Sequence, residues 1–122
     1  MRLHGAMLYV KDLALLAAFY EQVLEVEPAV ASRTETWLEF DLGGAIFALH
    51  AIPAHISRDI VIVSPPEVRE ETPIKLRFAV SDVAAHCRRL QAAGVQGELR
   101  PRGVVDCVDP EGNVFQLCPE GQ

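Results

Sequence analysis

Cysteines, aromatic residues and long hydrophobic runs are all scarce in this sequence. Its 122 residues include three cysteines, an odd number with no Cys-x-x-Cys pair. That usage argues against a disulfide framework and a thiolate zinc site, and it favours a reducing compartment. No apolar run approaches the roughly 20 residues of a membrane span, and no secretory pattern follows the first residues. We therefore expect a cytoplasmic protein that is not embedded in a membrane.

Positive charge is also in short supply. The chain has 11 Lys and Arg residues against 17 Asp and Glu residues, a net charge of −6. A protein that tracks nucleic-acid phosphates is normally basic, so DNA and RNA are poor partners. Half of the residues are apolar and 23% are charged. Those fractions are typical of a globular domain that folds without disulfides or metal.

Periodicity predicts two similar sets of secondary-structure elements. Helices with an apolar stripe are expected at 13–24 and 83–93, each preceded by an aspartate, Asp12 or Asp82, that caps its first turn. Alternating apolar and polar residues predict strands. These lie at 3–10, 30–33, 37–42, 45–50, 60–63, 74–80, 103–108 and 114–118. The domain of 1–122 thus divides into module one (about 1–52), a linker with four prolines (about 53–73) and module two (about 74–122).

The two modules repeat each other. Residues 10–13 (Val-Lys-Asp-Leu) match residues 80–83 (Val-Ser-Asp-Val) at an offset of 70. Residues 44–50 (Gly-Ala-Ile-Phe-Ala-Leu-His) match residues 112–118 (Gly-Asn-Val-Phe-Gln-Leu-Cys) at an offset of 68. Such a duplication predicts two helix-on-sheet units, each with its apolar sheet face against the helix.

The opposite sheet faces carry a mixture of aromatic, charged and polar residues, and we call them the mixed faces. A face of this kind is either solvent surface or the wall of a ligand cavity. The candidate ligand-binding residues there are Met7, Tyr9, Trp37, Glu39, His50, Lys75, Arg77 and Gln116.

The ordered set of motifs resembles the vicinal oxygen chelate superfamily, which contains glyoxalases, bleomycin-resistance proteins and ring-cleaving dioxygenases. The matching segments cover nearly the whole chain: 9–13, 19–20, 23–24, 80–83, 90–95 and 109–117. The resemblance implies an α+β fold of two β-α-β-β-β modules that form a curled mixed sheet with a cupped cavity. It also implies a homodimer.

Enzymes of that superfamily hold a divalent metal, and the resemblance carries its ligand positions onto Gly5, Ala48, Lys75 and Gln116. The first two have no ligating side chain, and the lysine is a cation at neutral pH. A stable site needs three or four good donors. We therefore expect no metal, no other cofactor and no catalytic residue.

Lys75 and Arg77 alternate with apolar residues, so both point to the mixed face. Either they form an ion pair, with Glu39 as the candidate partner, or they recognise a carboxylate or phosphate on a small ligand. The three cysteines are expected to be structural, with Cys87 in the core, and 109–113 is expected to be a turn.

The first functional hypothesis is a metal-free small-molecule binding protein similar to the bleomycin-resistance branch. The alternative is a metal-dependent lyase, isomerase or dioxygenase that uses a displaced ligand set of His4, Glu39, His50 and Gln116. A structural or regulatory partner domain is a third hypothesis.

Overall fold

The computed structural model describes residues 1–121 and divides into two compact units, Met1–Ile62 and a second unit that begins at Val63. The division falls inside the predicted linker. Unit one therefore contains module one, and unit two contains module two. Within residues 1–121, no helix is long and apolar enough to cross a membrane.

Unit one is a three-stranded mixed sheet with one long helix. The sheet order is β1-β3-β2, with β1 parallel and β2 antiparallel to β3. The elements are β1 (Gly5–Val10), α1 (Leu13–Leu24), β2 (Trp37–Asp41), β3 (Ile46–Ala51) and the short helix α2 (Ala54–Ser57).

Helix α1 begins where expected, because the Asp12 side chain accepts a hydrogen bond from the Leu15 backbone N–H at 3.1 Å. Its buried stripe packs on the apolar face of the sheet. The Tyr20 ring lies edge-on to Phe47, with ring centres 4.9 Å apart, and Phe47 stacks with Phe40 at 6.1 Å. These contacts form the core of unit one.

Unit two is a four-stranded mixed sheet of order β4-β7-β6-β5. Its elements are β4 (Leu76–Val80), α3 (Val83–Ala92), β5 (Gly97–Arg100), a 3₁₀ turn (Pro101–Gly103), β6 (Val104–Val108) and β7 (Val114–Pro119). Asp82 caps α3 by accepting from the Ala85 N–H at 3.0 Å. The helix ends before Gly94, which has the left-handed φ of 86° that glycine adopts readily.

Two predicted strands are absent, and one observed strand was not predicted. Residues 30–33 and 60–63 form no strand, so module one has the plan β-α-β-β rather than β-α-β-β-β. Strand β5 was not expected, because all four of its residues are exposed and show no apolar alternation. The α+β class and the duplicated plan are confirmed as two mixed, open sheets.

Candidate functional site

The mixed face of unit one carries two rows of side chains that cross the sheet. Strand register aligns Tyr9 with His50 and His50 with Trp37. It likewise aligns Met7 with Ala48 and Ala48 with Glu39. Because side chains alternate along strands, both rows lie on the same face. All five candidate residues of module one therefore share one surface, and we call the first of these rows the aromatic row.

Ring contacts and hydrogen bonds order the aromatic row. The His50 ring centre lies 5.1 Å from that of Tyr9 and 5.7 Å from that of Trp37. The indole Nε1 of Trp37 donates to the Glu39 carboxylate at 3.1 Å. His50 is half-buried, whereas Tyr9 is 58% exposed. The mixed face of unit one thus presents aromatic rings together with a hydrogen-bond acceptor, the Glu39 carboxylate.

The mixed face of unit two is charged instead of aromatic. Register aligns Arg77 on β4 with Gln116 on β7, then with Asp106 on β6 and Glu98 on β5. Arg77 donates from Nε to the Gln116 side-chain oxygen at 3.0 Å. One polar row therefore spans all four strands.

Asp106 is the centre of this row. Its carboxylate is buried and accepts from Lys75 Nζ at 3.1 Å, Arg100 Nε at 2.9 Å and Gln116 Nε2 at 2.8 Å. Burial opposes ionisation, but the hydrogen bonds from Gln116, Lys75 and Arg100 outweigh it and lower the pKa of Asp106. Arg100 also pairs with Glu98 at 3.2 Å. A cavity of about 350 Å³ opens beside these side chains.

Sequence reasoning placed Lys75, Arg77 and Gln116 on this face but missed Asp106. It offered Glu39 as the partner of a cation, whereas the partners in the structure are Asp106 for Lys75 and Gln116 for Arg77. Arg100 was not among the candidate residues, yet it binds Asp106. One feature of the sequence could have revealed Asp106: it is the one acidic residue in the otherwise apolar strand 104–108.

Burial disfavours ionisation of two of the three cysteines, Cys87 and Cys107. Burial raises the pKa of Cys107 to about 12 and also raises that of Cys87. The Sγ of Cys118 is buried and donates weakly to the Phe78 carbonyl at 3.6 Å. Cys87 is only half-buried, so its expected place in the core is wrong. A thiol above its ordinary pKa stays protonated near neutrality and is a poor nucleophile.

The residues at the inherited metal-ligand positions do not fit a divalent cation. A Cβ atom added to Gly5 would lie 1.9 Å from the carbonyl oxygen of Ile46, so β1 and β3 leave no room for a side chain. Ala48 has no donor atom, and Lys75 brings a positive charge. In the described part of the chain, no group of three or more His, Cys, Asp and Glu side chains could hold a metal ion.

A scan against family models matches a glyoxalase-like domain over residues 6–118. No curated protein sequence matches significantly. The fosfomycin resistance protein FosX from Listeria monocytogenes has a similar structure, with a TM-score of 0.70 and 21% identity over 96% of this chain and 90% of that one.

Two further solved structures share the fold. An integron cassette protein from Vibrio cholerae gives a TM-score of 0.67 and 17% identity over 99% of this chain and 96% of that one. A glyoxalase/bleomycin resistance protein/dioxygenase family enzyme from Burkholderia phytofirmans gives 0.67 and 19% over 93% and 94%. The resemblance seen in the motifs is confirmed, and the chain belongs to the glyoxalase-like family of the vicinal oxygen chelate superfamily.

Proposed function

We propose that this chain is a small-molecule binding protein that works without the divalent metal of its superfamily. The observation that carries the proposal is the chemistry at the four inherited ligand positions. Two of them have no donor atom, Lys75 is cationic, and Gln116 is held between Arg77 and Asp106. Among these four positions, the side chain of Gln116 is the one that could donate to a metal, and it does so only through a neutral amide oxygen. A metal would therefore also have to break the hydrogen bonds that Gln116 forms with Arg77 and Asp106.

The proposed ligand is a small anion-bearing molecule. Arg77 has a neutral partner, Gln116, and forms no ion pair with a described residue. Its remaining guanidinium donors suit the paired oxygens of a carboxylate or phosphate. Lys75 lies on the same face, where it shares the Asp106 carboxylate with Arg100, and Arg100 also pairs with Glu98.

A structural neighbour supports an anionic ligand on this fold. FosX has been solved in complex with Mn(II) and a sulfate ion, at a TM-score of 0.71 and 20% identity. In our proposal this chain also binds an anion, and positively charged side chains of module two, such as Arg77, attract it without a metal. The proposed ligand contacts are given for each mixed face by itself. They are Met7, Tyr9, Trp37, Glu39 and His50 in unit one, and Lys75, Arg77 and Gln116 in unit two.

Elemental analysis combined with ligand screening tests this function. Protein purified without chelators is expected to carry no stoichiometric zinc, nickel, iron or manganese. A thermal-shift panel of small carboxylates, phosphates and phosphonates is expected to give at least one stabilising ligand. One tightly bound metal per chain would instead favour the alternative, a metal-dependent lyase, isomerase or dioxygenase with ligands such as His50 and Glu39.

We also propose that the protein forms a homodimer in a reducing, cytoplasmic setting. Tyr9 is 58% and Met7 is 42% exposed on the mixed face of unit one. Apolar surface of this kind is commonly covered by a partner, and a second copy covers it with a self-complementary contact. Light scattering at micromolar concentration is expected to give twice the monomer mass of 13.4 kDa. A mass of one chain would refute the dimer.

A further inference from the structure

His50 lies at the centre of the aromatic row with one ring nitrogen engaged and the other open. Nδ1 is 2.8 Å from the backbone carbonyl oxygen of Ala51. A carbonyl oxygen only accepts, so Nδ1 carries the hydrogen and donates it. In the neutral imidazole, Nε2 is then the nitrogen with a free lone pair. The backbone therefore fixes which side of the ring acts as an acceptor.

The Nε2 atom of His50 has no hydrogen-bond partner among residues 1–121. In that part of the chain, Ser32 Oγ is the buried side-chain polar atom that lacks a hydrogen-bond partner. Nε2 of His50 also lacks a partner but does not belong to that buried group, so it keeps contact with solvent. A fixed, accessible acceptor of this kind is open to a donor from outside the chain.

The neighbours of His50 define the shape of that donor molecule. The Tyr9 ring is tilted by 60° and the Trp37 ring by 83° relative to the imidazole plane, and the two residues lie on the strands on either side of His50. Aromatic side chains therefore flank the imidazole on both sides. Glu39, one row away, is a second acceptor and already receives the Trp37 N–H. Aromatic walls favour a planar, largely apolar molecule. The two acceptors favour O–H or N–H groups on it.

We infer that His50 is a specificity-determining residue, whose Nε2 accepts a hydrogen bond from an O–H or N–H group on a planar ligand. The inference rests on the proposed small-molecule function and adds the class of ligand that module one selects. His50 acts here as a binding group, and no chemical step is assigned to it.

The first test needs no variant. Long-range ¹H–¹⁵N NMR spectra of the labelled full-length protein distinguish the two neutral tautomers of each histidine. His50 is expected in the Nδ1–H form, and its Nε2 resonance is expected to shift when phenol is added. The opposite tautomer overturns the inference, and so does phenol that leaves the His50 and Trp37 resonances unchanged.

The second test separates the hydrogen bond from simple apolar contact. Phenol and toluene have similar size, but only phenol carries an O–H donor. In His50→Phe, which keeps a flat ring and removes the acceptor, phenol affinity is expected to fall about 3- to 10-fold, the effect of one neutral hydrogen bond. Toluene affinity is expected to stay within about 2-fold. An equal change for both probes would refute the acceptor role.

His55→Phe is the matched control, because His55 is exposed on helix α2 of the same unit. It is expected to leave the affinities for phenol and toluene at wild-type values.

Failure of the inference about His50 is distinguishable from failure of the proposed function. A panel of anions without a hit, or a stoichiometric metal, contradicts the proposed function, whereas the phenol and toluene comparison concerns His50 alone.

Discussion

Modules one and two place a carboxylate at the same point of equivalent sheets but surround it differently. Glu39 opposes Ala48, and Asp106 opposes Gln116, which is the repeat equivalent of Ala48. In module one the carboxylate is half-buried and binds an indole N–H. In module two it is buried and accepts from two cations and an amide. Duplication has kept the carboxylate and changed its partners, which separates an aromatic face from an ionic one.

The helices of the two modules also differ in how many residues they bury. Helix α1 buries four residues, including Tyr20, whereas α3 fully buries Leu90 alone. Beside α3, an apolar groove of about 550 Å³ lies against β5 and β6. On the helix-facing side of module one, the Tyr20 ring of the helix packs against the rings of the sheet. The corresponding side of module two has the Phe78–Phe115 pair in its sheet, with ring centres 5.9 Å apart, but no Phe, Tyr or Trp on its helix.

Truncating Tyr20 is the strongest way to test this difference. Tyr20→Ala is expected to lower the free energy of unfolding by about 3–5 kcal/mol, because the cavity lies between the Phe47 ring and the helix. Leu90→Ala, its counterpart in module two, is expected to cost about 2 kcal/mol, since the packing around α3 is already looser. Urea denaturation measures both. A larger loss for Leu90→Ala would contradict the comparison of the helices.

The second-largest effects on stability are expected at the two equivalent carboxylates, Asp106 and Glu39. Asp106→Asn is expected to destabilise the fold by about 2–3 kcal/mol, less than for a fully buried ion pair because Lys75 and Arg100 keep contact with water. Glu39→Gln preserves an acceptor for the Trp37 N–H and is expected to cost under about 1 kcal/mol. Equal losses in denaturant titrations would show that burial of Asp106 does not distinguish the two sites.

Removing the charge of Arg77 tests ligand binding on the ionic face. Arg77→Met is expected to weaken binding of a carboxylate from the panel by about 1.5–3 kcal/mol, the value of a hydrogen bond to a charged group. Because its partner is the neutral Gln116, stability is expected to change by less than about 1 kcal/mol. Calorimetry and thermal denaturation give the two values. A large stability loss with unchanged affinity would make Arg77 a structural residue.

The pH dependence of stability gives the smallest signal. The folded pKa of Asp106 is lowered from its ordinary value of 3.8, so the carboxylate stabilises the fold above that value. The stabilisation is lost as the pH falls through the folded pKa. The stability difference between the wild type and Asp106→Asn is therefore expected to be constant above about pH 5 and to narrow below pH 4. Denaturation curves from pH 7 to 3 measure it, and widening in acid would contradict the ionic network.

The sequence predicted those parts of the fold that depend on local chemistry. Helix α1 and its Asp12 cap lie where periodicity placed them, and so does the side of β4 that carries Arg77. Val30 suggested a strand but is 87% exposed, so no burial supports one. Strand β5 was missed because its four residues are exposed and owe their order to pairing with β6.

The candidate site was predictable only in part, for a related reason. Alternation shows which face a side chain shares, so Lys75 and Gln116 were placed correctly. It does not show that the folded sheet brings the carboxylate of Asp106 within hydrogen-bond distance of Lys75, which is 31 residues away in the sequence. The tautomer of His50 depends on a hydrogen bond to a backbone carbonyl, and no sequence pattern reports that bond.

The close approach of β1 to β3 at Gly5 bears on how a metalloprotein could be engineered from this chain. A single substitution of Gly5 by histidine, the change that would restore a ligand, brings its Cβ to 1.9 Å from the Ile46 oxygen. The parallel pairing of Gly5 with Ile46 would have to open before the imidazole could reach any cation. A metal ligand at this position therefore requires a compensating shift in the backbone of the neighbouring strand, and directed evolution by single mutations is expected to find other routes first.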